Sequence, residues 1–287
     1  MSDGALTATI ANHKSQIAHG PASASLFVQA LVGIFFLFVA WRTGSFSSSC
    51  LTATYFLLFA DSCRRSHPRA RSENFFVGAV ILVTVIWGFP LFLLLGTWAS
   101  QHTLDAQLRA ADLAIGLDGF GLSRFCFGHS AARIVVDSVY DALPMAVALA
   151  WMISRRRAFL IGCLLASIAG WGFYHLCPAT GPAFAFQSWP EPDASPLSSP
   201  VGARNCMPSL HFTWALLCVF NTRGAWRIAF GAFAILTALS AVACGQHYFV
   251  DMLAAAPFAA LIQFTTGALN RRGDASLGVS DSESGRA

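Results

Sequence analysis

Charge is what this chain has least of. Charged side chains account for only 11% of its 287 residues, less than half of the roughly 25% usual in soluble domains, which excludes an ordinary water-soluble fold. Lysine is nearly missing, with Lys14 alone among 18 basic residues, an arginine bias that points to a GC-rich, bacterial genome. No CxxC pair and no Cys/His zinc spacing is present, so neither a redox motif nor a structural zinc site is expected. No segment repeats another, which argues against solenoids and against the matched halves of many transporters.

What fills the chain instead is apolar surface: 55% hydrophobic residues and a mean hydropathy of +0.58. Runs of about 20 apolar residues mark membrane spans, and they occur at 26–41, 75–99, 134–153, 159–177, 228–245 and 252–269, with weaker candidates at 50–60 and 210–220. The expected fold is an all-α integral membrane bundle of about eight transmembrane helices. Alternating the loops across the membrane puts thirteen basic residues on one side, among them Arg64, Arg65, Arg155, Arg156, Arg223 and Arg271, and five on the other: Arg42, Arg109, Arg124, Arg133 and Arg204. The positive-inside rule then places both termini in the cytoplasm. The net charge of +4 is mostly this bias, so nucleic-acid binding has little support.

Residues 1–24 and 270–287 are rich in Ser, Gly and charge and read as disordered cytoplasmic tails, with 25–73 holding two added spans and a basic loop. Leu104, Leu108, Ala111 and Ile115 form one helical stripe with Asp105, Arg109 and Asp112 off it, the pattern of a helix lying at the outer interface or packed on the bundle. The outer loop 178–204 is interrupted by Pro182, Pro190, Pro192, Pro196 and Pro200 and can be neither long helix nor central strand. Cys177 and Cys206 bracket it, as a disulfide or as free thiols. Asp137, Tyr140 and Asp141 sit in a span where carboxylates are costly; they face the pocket or its acceptor site, or pair with Arg133, and the pairing is the favoured expectation. Trp98, Trp151, Trp189 and Trp226 lie near span ends, as in interfacial belts.

Two motifs carry the chemistry: Asn205-Cys206-Met207-Pro208-Ser209-Leu210-His211 and Gly245-Gln246-His247-Tyr248-Phe249-Val250-Asp251. They stand at the outer ends of one hydrophobic hairpin, and Tyr174-His175 through Gly181-Pro182 ends the preceding span on the same side. Proline and serine at 208–209 read as a helix start, where free N–H groups and the helix dipole suit a phosphate. His247 and Asp251 are four apart, so on a continuous helix they share a face and the carboxylate holds one imidazole nitrogen while the other stays free. Twelve residues from His211 to Arg223 span about 18 Å of helix against roughly 30 Å of hydrocarbon, which sets His211 below the outer surface, in a pocket that a lipid enters sideways. The same trio of His211, His247 and Asp251 also admits a proton-relay transporter or a His/His/Asp zinc hydrolase, but the first lacks matched halves and the second any His-x-x-x-His.

The order Pro-Ser-x-His followed by His-Tyr-x-x-Asp resembles the membrane-bound type 2 phosphatidic acid phosphatase superfamily. Pro-Ser-Leu-His, His-Tyr-Phe-Val-Asp and the earlier Pro178-Ala179-Thr180-Gly181-Pro182 are most similar to its inositol phosphorylceramide synthase branch. The resemblance covers 74–269, a six-helix core. It implies a metal-independent, cofactor-free phosphatase or phosphotransferase in which His247 attacks phosphorus, Asp251 orients it, and His211 protonates the leaving group and then activates the acceptor. That acceptor is water or a lipid or sugar alcohol, and the donor a lipid phosphoester. The wider superfamily's Lys-x6-Arg-Pro motif is missing, and the position six before the nucleophile, usually Arg, is Ala241. Phosphate or substrate contacts therefore fall to Arg204, Ser209, Pro208, Tyr174, His175, Gly181 and Gln246, with Arg133 a more distant cation.

Overall fold

A computed structural model describes residues 102–154, 157–187, 189 and 204–278, all within Ile81–Ala287, the second of two units into which the chain divides. The elements in these residues are helical: α1 Asp105–Ala114, α2 Gly119–Gly128, α3 Ser130–Asp141, α4 Leu143–Ser154, α5 Arg157–Leu176, α6 Pro182–Ala185, α7 Leu210–Asn221, α8 Ala225–Ala243 and α9 Phe249–Gly278. The expected spans at 26–41, 50–60 and 75–99 and the residues beyond 278 lie outside the described residues.

Among the described residues, three segments are long and apolar enough to cross a membrane: Ala158–Leu176, Ala225–Ala243 and Phe249–Ala268. At about 1.5 Å per residue, 19 or 20 residues match the hydrocarbon thickness, and the protein is a helical membrane protein. The expected span 134–153 is a broken one, since α3 and α4 meet at 52°. Pro144 explains the bend: it has no N–H for the Tyr140 carbonyl, and its ring crowds that oxygen. The last helix continues to Gly278, past the end at 269 read from hydropathy.

At the centre stands α7, packed against α4, α5, α8 and α9. Its residues Thr213, Ala215, Leu217 and Cys218 have no exposed surface, as fits a helix covered on all sides. The few polar groups at this depth are bonded locally or across helices. Thr213 Oγ1 donates to the Ser209 carbonyl at 2.7 Å, Trp214 Nε1 to the Cys163 carbonyl of α5 at 3.3 Å, and Asn221 Nδ2 to Gln263 Oε1 of α9 at 2.7 Å.

α1 keeps Leu104 and Leu108 of its hydropathy stripe against the core but buries carboxylates beside them. Asp105 and Asp112 are buried beside Leu108, while Leu113 and Ile115 are exposed. Positions 105, 108 and 112 share one helical face, and the carboxylates are drawn inward by backbone donors of other segments. Trp189 is likewise no belt residue: its ring packs on Phe120 with centroids 4.5 Å apart. Trp151 is buried too, at 7% exposure.

Candidate functional site

Four segments lace together at one end of the bundle: the start of α1, the turn 177–186, the loop before α7 and the loop from α8 to α9. Leu104 N donates to the Pro178 carbonyl at 2.8 Å, Cys206 N to Ala179 at 3.1 Å, and Ala183 N to Gly245 at 2.9 Å. Two glycines allow the closest approaches. Gly181 has φ +92°, and a Cβ there would meet the Gln246 carbonyl oxygen at 2.5 Å. Gly245 has φ +68°, and a Cβ would stand 2.7 Å from the Trp189 ring. Gly245 ends α8 with its N–H on the Val242 carbonyl at 2.9 Å, and His247 N follows to Ala241 at 3.2 Å, a glycine-terminated helix end of the familiar left-handed type.

Asp105 is the hub of this end. It accepts from Thr180 N at 3.1 Å, Thr180 Oγ1 at 3.2 Å, Gly181 N at 3.0 Å and Tyr248 Oη at 2.9 Å. Asp112 accepts from Phe249 N at 2.9 Å and Val250 N at 2.8 Å, so it satisfies the first orphan donors of α9. Burial pushes the Asp112 carboxyl above the usual carboxylate range, against the lowering effect of those two N–H groups and with the Asp251 charge adding to the rise. Asp251 itself reaches back to Tyr248 N at 2.8 Å, the carboxylate half of a capping box.

His247 therefore precedes α9 rather than lying within it, yet the pairing expected from the spacing forms. Its Nδ1 is 3.4 Å from Asp251 Oδ2, and the side chains are 5% and 0% exposed. Asp251 Oδ1 and His247 Nδ1 are buried without a hydrogen-bond partner among the described residues. His211, in the first turn of α7, is half-buried, its ring 6.0 Å from that of His247. The same ring is stacked on Tyr140 at 4.3 Å and 20°. The hairpin brings both histidines and the carboxylate to one place.

The other residues named from the sequence divide. Ser209 caps α7, its Oγ accepting from Phe212 N at 3.3 Å, so Pro208 lies just outside the helix rather than in its first turn. Tyr174 Oη donates to the Pro208 carbonyl at 3.1 Å and so holds this loop. Arg204 is buried at 7% exposure. The Gly181 N–H is committed to Asp105, and the Gln246 carbonyl lies 2.9 Å from Cys206 Sγ. His175 is exposed, with its ring edge-on to Trp171. Arg133 pairs with Asp137 at 3.7 Å, both about half exposed or more. Cys177 and Cys206 are free thiols.

Of the two positions the sequence left open for Tyr140, the pocket is the one it takes, as a ring partner of His211. Sequence reasoning missed Arg109, Asp105 and Asp112. Arg109 lines, with Asp112, Gly119, Trp189, His247 and Tyr248, a small pocket, its guanidinium 4.1 Å from the Phe120 ring centre and 4.9 Å from that of Phe186. Asp105 and Asp112 had no local signal, because the partners of both carboxylates lie far along the chain.

The sequence model of the PAP2 superfamily matches residues 106–265, more than half of the chain, and the chain belongs to that superfamily. Membership supports a phosphatase or phosphotransferase type of activity. No curated protein and no solved structure matches the chain.

Proposed function

We propose that this member of the PAP2 superfamily is an integral membrane phosphotransferase acting on lipid phosphoesters through a phosphohistidine at His247. The observation that carries the reading is the buried His247–Asp251 pair, 3.4 Å apart, with the His211 ring 6.0 Å away. Asp251 keeps the ring proton on Nδ1, so Nε2 offers a lone pair to phosphorus. As the N–P bond forms, the ester P–O bond breaks and its oxygen takes a proton from His211. In the second step, His211 removes the proton of an alcohol, whose oxygen displaces His247 from phosphorus. Neither step requires a metal or cofactor, and most of the acceleration comes from position and charge.

Arg109 and Arg204 are the cations assigned to the phosphoryl oxygens, in place of the basic motif that the wider family carries and this chain lacks. A site in which His247 is only 4% exposed excludes bulk water and favours a lipid alcohol as acceptor over hydrolysis. The resemblance to the inositol phosphorylceramide synthase branch points the same way. Following the arginine bias and loop charges, the site faces the periplasm from a bacterial inner membrane, with both termini in the cytoplasm.

The test is product analysis. Purified protein receives a lipid phosphoester labelled at phosphorus, with and without candidate lipid or sugar alcohols, and label is followed into new phospholipid or free phosphate. Label in new phospholipid supports the transferase, and free phosphate alone shows a phosphatase. Full turnover by His247→Ala would overturn the nucleophile assignment.

A further inference from the structure

We propose that Cys206, His247 and Asp251 form a site for one thiophilic divalent cation, zinc in the first instance, whose binding switches the nucleophile off. The effect on turnover rests on the phosphohistidine reading, whereas the binding site itself does not. The three residues offer one ligand atom each, all within 4.8 Å of one another and all buried. This is not the His211, His247, Asp251 trio that the sequence offers, since a thiol takes the place of one imidazole.

Geometry and charge both fit. His247 Nδ1 and Asp251 Oδ2 are 3.4 Å apart, long for a hydrogen bond but equal to the edge of about 3.4 Å between two ligands of a tetrahedral zinc with bonds near 2.0–2.1 Å. Asp251 is fully buried, and its Oδ1, like His247 Nδ1, has no hydrogen-bond partner among the described residues. A buried carboxylate in that condition is costly. A divalent ion bound by one thiolate and one carboxylate is neutral overall, so it compensates the buried charge without adding another. The Gln246 carbonyl, 2.9 Å from Cys206 Sγ, or a water completes four-coordination. Imidazole and thiolate together select zinc or cobalt over magnesium or calcium.

The proton balance explains the inhibition. In the metal-free pair the His247 proton sits on Nδ1 and the Cys206 thiol is protonated. Binding forms S–metal, N–metal and O–metal bonds, releases the thiol proton to solvent and moves the ring proton from Nδ1 to Nε2. The nitrogen that must attack phosphorus then carries a hydrogen and has no free lone pair. Cys206 has no part in the transfer reaction itself, so its loss leaves metal-free turnover in place.

The experiment is a cobalt titration of the purified full-length protein in detergent, read by the thiolate-to-cobalt charge-transfer band. A band saturating at one equivalent, displaced by zinc, and lost or weakened at least about tenfold in Cys206→Ser and in Asp251→Asn supports the site. No band, or a band unchanged in both variants because other cysteines produce it, overturns it. Cys206→Ala serves if the serine variant does not fold. In the activity arm, zinc inhibition of the native protein, reversed by chelator and absent in Cys206→Ser, supports the switch, and equal inhibition of that variant overturns it. A protein that binds cobalt as described but transfers no phosphate keeps the site and loses the proposed function.

Discussion

Asp112 accepts the backbone N–H of Phe249 at 2.9 Å across 137 positions of sequence. A short helix at one end of the bundle thereby fixes the entry angle of the helix that carries Asp251. Replacement by Asn removes the charge and one of the two acceptor oxygens. Asp112→Asn is expected to lower stability by about 1–2 kcal/mol, the range of a lost helix cap, and to cut turnover more than binding. Thermal unfolding in detergent, with kcat and KM measured separately, checks this.

Asp251→Asn leaves the size of the side chain but lets the His247 ring take the wrong tautomer. By analogy with other carboxylate–histidine pairs, kcat falls by about 10²–10⁴-fold, while His247→Ala leaves no covalent intermediate. Acid-labile label trapped on the native protein and missing from His247→Ala is the readout.

Tyr140 offers a comparison of two variants. Phe keeps the ring stacked on His211, and Leu does not. Tyr140→Phe is expected within about twofold of native turnover, and Tyr140→Leu about tenfold below it, as follows from an aromatic pair worth about 0.5–1.5 kcal/mol. Equal effects from both would assign the role to the hydroxyl.

Arg109→Ala is expected to raise KM for the lipid phosphoester by about tenfold or more, the loss of one charge-assisted contact of about 1.5–3 kcal/mol. Arg109→Lys recovers part of it, because lysine keeps the charge without the planar fork. Unchanged KM in both variants would remove Arg109 from the substrate pocket.

Gly181→Ala places a Cβ 2.5 Å from the Gln246 carbonyl at φ +92°, where an L side chain is strained by about 1–3 kcal/mol before the clash is added. Loss of folded protein, or a clearly lowered unfolding temperature, is the expected result. A variant of native stability would show that the two loops separate freely.

The two histidine motifs were legible because their information is local: four residues between His247 and Asp251, and a serine that caps its own helix. The membrane character was legible for the same reason, since Ala158–Leu176 and Ala225–Ala243 are apolar over most of their length. The burial of Asp105 and Asp112 was not. A hydropathy stripe assigns carboxylates to water, and only the remote N–H groups of Thr180, Gly181, Phe249 and Val250 make an inward position favourable. The bend at Pro144 had a visible cause, but the apolar run 134–153 outweighed it. Tyr140, which stacks on His211, stands at the end of α3 beside that bend.

Asn221 and Gln263 join the end of α7 remote from the histidines to the middle of α9 at 2.7 Å. Gln263 is twelve residues beyond Asp251, about 18 Å of helix, so each degree of pivot about that bond displaces the reacting end by about 0.3 Å. An error of about 1 Å, enough to cost about 10²-fold in rate, corresponds to only about three degrees. The joint thus acts as the fulcrum of a long lever, and the carboxylates of α1 grip the lever's free end, where a given force resists rotation best.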